Sequence, residues 1–101
     1  MKKTKKEACR QCVVKRKGHT EDFDERKVYA SVYAACASAH YEEMECEKIA
    51  EKLTKKIKRF IKSKKQAESS EIRRRIENEL KKQDEELAFF YEQHLPNLKR
   101  L

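Results

Sequence analysis

One glycine and one proline in 101 residues leave this chain almost without the residues that turn a backbone. Glycine supplies left-handed conformations and proline fixes φ, and folds built from many short strands need such residues repeatedly. A loop-rich or many-stranded fold is therefore excluded, and long alternation of apolar and polar residues is absent as well. The expectation is a small, mostly helical domain. The lone glycine marks where the chain departs from helix. It lies in Val13-Val14-Lys15-Arg16-Lys17-Gly18-His19-Thr20-Glu21-Asp22-Phe23-Asp24-Glu25-Arg26-Lys27-Val28. This stretch predicts a strand over 13–17, a tight turn at Gly18-His19, and a short return strand from Thr20 to Phe23. Asp24 then opens a helix, its carboxylate placed to accept from the unpaired N–H groups of the first turn.

The rest reads as helical packing for this piece. Val28, Val32, Ala35, Cys36 and Ala39 recur at helical spacing, with Tyr29 and Tyr33 on a flanking face. A second helix follows Glu42, Glu43 and Glu45, which suit its positive end. Its apolar stripe is Cys46, Ile49, Ala50, Leu53, Ile57, Phe60 and Ile61, and the opposite face carries Lys52, Lys55, Lys56, Lys58, Arg59 and Lys62. Residues 63–68 read as a connector, and Ser69-Ser70 as a hydroxyl cap for a third helix with the stripe Ile72, Ile76, Leu80. Asp84 caps a fourth helix bearing Leu87, Ala88, Phe90, Tyr91 and Leu95, and Pro96 is expected to end it. The predicted organisation is a basic N-terminal segment over 1–12, one domain over 13–95 and a tail over 96–101. The fold class is α+β, mostly α: an N-terminal β-hairpin packed on about four helices.

Charged residues make up 44% of the chain and hydrophobic residues 38%, a balance close to that of disordered chains. The regular helical placement of the apolar residues argues instead for a folded domain with highly charged outer faces. The net charge of +8 is segregated: residues 1–17 hold eight basic residues and one acid, and residues 52–65 hold eight basic residues and no acid. Such segregation suits a polyanionic partner, and equally a solvated lysine-rich surface. No apolar run is long enough for a membrane span and no signal-peptide core is present, so a cytoplasmic protein without membrane attachment is expected. Four cysteines without a secretion signal fit a reducing compartment and free thiols.

Lys15 and Arg16 sit on the first strand and Lys27 one turn into the first helix. Folded together, these three cations would offset the charges of a triphosphate, with Glu21 and Asp24 as hydrogen-bond acceptors for an amino or hydroxyl group. Read singly, they are also ordinary solvated hairpin and helix residues.

The order Val14-Lys15-Arg16-x-Gly18-x-x-x-x-Phe23-Asp24-x-x-Lys27 resembles the opening motif of the ATP-cone family, small regulatory nucleotide-binding domains of ribonucleotide reductases and of the repressor of their genes. Ser69-Ser70-Glu71-Ile72 is similar to the family's entry to a later helix, and Leu80 through Asp84-x-x-Leu87-Ala88-Phe89 to its closing helix. The resemblance spans about residues 13–95. It implies a hairpin packed on four helices, with ATP or dATP, accompanied by Mg2+, bound between them as a regulatory ligand that controls oligomeric state or the binding of a protein partner. It further implies phosphate contacts from Lys15, Arg16 and Lys27, walls for base and sugar from Val13, Val28 and Ile72, adenine-side contacts from Glu21 and Asp24, and a polar contact from Ser69. Family members often carry an arginine in the closing helix where this chain has Tyr91.

Cys9 and Cys12 have metal-ligand spacing, but tetrahedral zinc needs two further ligands and no second C-x-x-C follows, so a complete zinc site is not expected. Cys36 and Cys46 fall on core stripes. The lysine-rich second helix and Arg73, Arg74 and Arg75 offer a nucleic-acid backbone nonspecific charge. Consecutive arginines on a helix point in different directions, which argues against a single patch. Two alternatives therefore stand beside nucleotide sensing: a nucleic-acid-binding regulator related to the repressor, and a degenerate cone acting as a protein-interaction domain. No phosphate-binding glycine loop, H-E-x-x-H or activated nucleophile is visible, so no enzyme activity is expected.

Overall fold

A computed structural model of the protein describes residues 13–16 and 18–98. Strands β1 (Val13–Arg16) and β2 (His19–Asp22) are followed by α1 (Glu25–Ser38) and α2 (Glu43–Lys64). Strand β3 (Gln66–Glu68) then leads directly into α3 (Ser69–Gln83) and α4 (Glu85–Leu98). The hairpin and four helices match the expected α+β, mostly α, architecture. The Cys9–Cys12 pair lies outside the described residues.

Gly18 takes φ +85°, which an L side chain adopts only with strain, and so closes the hairpin in which Arg16 pairs with His19 and Val13 with Asp22. The sheet contains a strand not expected from the sequence. Residues 63–68 are not a simple connector: α2 continues through Lys64, Lys65 turns the chain with φ 72°, and Gln66–Glu68 pairs parallel to β1. The order β2-β1-β3 places β1 at the centre. The reason lies in β1's second edge, whose N–H and C=O groups would otherwise lack partners; the Val13 N–H also donates to the Lys65 carbonyl (3.0 Å). One buried side chain, Ala67, is enough to seat β3.

The helices form as their stripes require. Val28, Val32, Ala35 and Cys36 of α1 pack with Cys46, Ala50, Leu53, Ile57 and Ile61 of α2, with Ile72, Ile76 and Leu80 of α3, and with Leu87, Ala88 and Tyr91 of α4 in one core. Helix α1 lies against α2 and α4, and α3 against α4 and α2. Val14 and Ala67 join the sheet to this core. The Asp24 carboxylate accepts from the Arg26 N–H (3.0 Å) and the Asp84 carboxylate from the Glu86 N–H (3.0 Å), so both expected caps form. The Tyr41 hydroxyl also donates to Asp84 (2.8 Å), tying the α1–α2 turn to the start of α4. Two local expectations change. Ser69 and Ser70 are the first helical residues of α3 rather than its cap; the cap position is Glu68, whose side chain makes no capping bond. Helix α4 continues past Pro96 to Leu98, although proline donates no N–H to that last turn. No helix among the described residues is long and apolar enough to cross a membrane.

Candidate functional site

The residues singled out from the sequence fall around the sheet and the ends of α1 and α3 that meet it. Side chains alternate along a strand, and paired residues share a face. Val14 is buried and pairs with Glu21 on one side and Ala67 on the other, so these three define the face turned to the helices. Val13 is half-buried and Lys15 exposed, both on the opposite face. Arg16 is the last residue of β1.

On the helix side, the Lys27 ammonium lies 3.6 Å from one Glu21 oxygen, and His19 Nε2 is 3.2 Å from the other. The expected cation and acceptor are thus brought together as an ion pair. Asp24 is engaged by Arg26, whose guanidinium approaches to 3.3 Å. This hydrogen bond is the main reason its carboxyl sits below the ordinary aspartate value. Val28 and Ile72 are both buried.

Ser69 reaches the same region through the sheet. Because β3 runs parallel to β1, with Lys15 opposite Glu68, the last residues of β1 lie beside the first turn of α3. The Glu68 side chain makes no cap bond to that turn, although the Glu71 carboxylate holds the Glu68 N–H, and the helix start lies next to the end of β1, where its dipole favours an anion. Arg73, one turn into α3, donates to the Ser69 hydroxyl (3.4 Å). This contact was not anticipated, although the i, i+4 spacing of Ser69 and Arg73 is visible in the sequence.

Tyr91, singled out in the closing helix, is a core residue, 2% exposed. Burial pushes its hydroxyl up to about 12, opposed in part by Arg73 and by a hydrogen bond with Ser31. The Ser31 hydroxyl in turn donates to the Val28 carbonyl (2.9 Å). Tyr91, Ser31 and Arg73 thus link α4, α1 and α3, a link that sequence spacing within one element does not reveal.

Cys36 and Cys46 are buried free thiols. Desolvation pushes Cys36 up to about 12, which suits packing and not nucleophilic chemistry. Among the described residues no group of three or more His, Cys, Asp and Glu side chains is arranged to hold a metal ion.

The alignment of hairpin, α3 start and basic strand end coincides with a family assignment. A family model described as the ATP cone domain matches residues 11–93. The chain belongs to the ATP-cone family. This membership gives the ATP cone a general role as a regulatory, nucleotide-binding domain whose ligands are adenine nucleotides. Comparison with curated proteins and with solved structures finds no match.

Proposed function

We propose that this ATP cone binds ATP or dATP between its hairpin and helices and uses the occupant to control self-association or the binding of a partner protein. The observation that carries the reading is the parallel β1–β3 pairing, which sets Lys15 beside the first turn of α3 within a chain of this family. In this reading the phosphates lie at the end of the sheet, where Lys15 reaches them from the outer face and Lys27 from the helix side, with Arg16 at the strand end between them and Mg2+ as counter-ion. Val13, Val28 and Ile72 wall the base and sugar, Glu21 and Asp24 meet the adenine side, and Ser69 adds a polar contact.

The ion pairs suggest how binding is coupled to shape. A triphosphate competes with the single carboxylate of Glu21 for Lys27, and the exchange turns Glu21 toward a ribose hydroxyl or the adenine amino group. Val28 and Ile72 are buried in the core, so a base can reach them only if the packing around them opens and closes again. That movement would alter the outer helical faces, where Phe89 of α4 is 54% exposed.

Isothermal titration of the full chain with ATP, dATP and GTP tests the proposal. Heat with both adenine nucleotides and not with GTP is expected. Replacing Lys15 and Arg16 together with Ala should abolish it while leaving the helical circular-dichroism signal intact. Absence of heat and of any chemical-shift change at millimolar ATP would overturn nucleotide binding, and binding that survives the double replacement would overturn the phosphate assignment. Light scattering with and without nucleotide then tests for a change in mass, which supports control of self-association.

A further inference from the structure

Arg73, Arg74 and Arg75 diverge less than consecutive helical residues suggest. Arg73 turns to Ser69, but Arg74 and Arg75 line one groove between α2 and α3, joined there by Lys56, Arg59 and Lys82. The groove has a volume of about 940 Å3, within the size range of ligand pockets, but eight of its ten lining residues are charged or polar, with Ile57 and Phe60 the apolar pair. Its two carboxylates are already neutralised: Glu79 pairs with Lys56 (2.9 Å) and Lys82 (3.4 Å), and Glu71 with Lys64 (3.0 Å). Arg59 and Arg74 make no ion pair among the described residues, so the groove keeps a positive excess on both walls.

We infer that the groove between α2 and α3 binds the phosphodiester backbone of a nucleic acid without reading its sequence. Three observations favour this occupant. The positive row continues past the groove along α2, where Lys52, Lys55, Arg59 and Lys62 are exposed at i, i+3 and i+4 spacing. Ten residues of helix span about 15 Å, the rise of roughly four phosphates along one strand at about 3.4 Å each. Such a row fits an extended, regularly charged chain better than a compact anion.

Protein partners, by contrast, anchor on apolar or aromatic side chains in desolvated pockets. Here the aromatic ring, Phe60, is already covered: the Arg75 guanidinium lies 3.9 Å from its centroid and the Lys64 ammonium 5.5 Å. Stacking holds the Arg75 fork flat and leaves its N–H edge for bidentate donation to a phosphate. The groove carries no ring positioned to stack a base and is not a helix presented to a major groove, so recognition is confined to the backbone.

Fluorescence anisotropy of the full-length protein with a labelled, mixed-sequence single-stranded DNA 20-mer tests this. Binding should weaken steeply with salt and show no preference for a second sequence of equal length. An Arg59→Gln/Arg74→Gln variant should fold normally, because both side chains are exposed and neither makes an ion pair among the described residues. It should bind at least about tenfold more weakly at low salt, with its log–log salt slope reduced by about 1.4, two contacts at about 0.7 each on a single strand. Wild-type affinity and slope in that variant would assign the binding to the basic N-terminal residues and overturn the proposal. Displacement of the DNA by polyglutamate at equal charge concentration would also overturn it, in favour of an acidic polypeptide. Nucleotide titration reads the hairpin site and leaves this outcome independent of it.

Discussion

Lys65 shows how a single backbone angle joins two parts of the molecule. It ends α2 in a left-handed conformation, with its N–H bonded to the Ile61 carbonyl (2.6 Å), and so aims the next three residues along β1. A left-handed residue with a Cβ costs about 1–2 kcal/mol relative to glycine, partly offset by glycine's larger unfolded-state entropy. Lys65→Gly should therefore raise stability by about 0.5–1 kcal/mol, read as a higher urea midpoint with an unchanged slope; a lower midpoint would show that the lysine side chain contributes more than the turn costs. Residue-level chemistry was the most legible part of the sequence where its partner is local. Asp24 and Asp84 were readable as caps because a cap needs only the next few N–H groups. Ser69 was misread as a cap because the same hydroxyl chemistry serves one residue earlier or later, and the parallel strand fixes which. The Lys27–Glu21 ion pair was hidden for another reason: the sequence offers each charge many partners, and only the hairpin's register selects one.

The elements were legible in proportion to their period. All four helices could be read from stripes of buried residues, since a stripe is a property of one helix alone. Strand β3 could not: Gln66-Ala67-Glu68 has one buried residue and no alternation long enough to recognise, and it exists because the second edge of β1 needs a partner. The same limit applied to Arg74 and Arg75, whose convergence depends on the wall that α2 supplies. The third strand nevertheless has consequences for stability. Ala67 is 4% exposed beneath the sheet, and Ala67→Asp would place an unpaired carboxylate there at a cost of about 3 kcal/mol or more. Thermal denaturation should show a fall in Tm of more than about 10 °C for a domain of this size. An unchanged Tm would mean that β3 contributes nothing to the sheet.

At the scale of the whole molecule, charge is sorted by place, and stability should follow pH accordingly. Lys64 holds the Glu71 carboxyl below its ordinary value, Lys56 does the same for Glu79, and Arg26 for Asp24. Lowered folded values add stability above the unfolded values of 4.5 for glutamate and 3.8 for aspartate, and this is lost as pH falls through the folded values. Glu77 works the other way: burial, then the nearby Glu92, raises its value, so its contribution improves as the solution is acidified. Three lowered groups against one raised group predict a falling denaturation midpoint between about pH 5 and 3. Glu79→Gln should flatten that fall, whereas Glu77→Gln should raise stability at neutral pH and steepen it; a flat profile in the parent protein would contradict these assignments. The central place of β1 has a final consequence, for the order in which the molecule assembles. Its antiparallel neighbour is a few residues away, but its parallel neighbour lies beyond two helices, in the second half of the chain. Local helices and the hairpin form quickly, whereas closing so long a loop carries a large entropic cost until the helices between have packed. During synthesis, β1 therefore emerges early and keeps one edge open until residues 66–68 leave the ribosome, and over that interval the nascent chain is most exposed to pairing with the wrong strand.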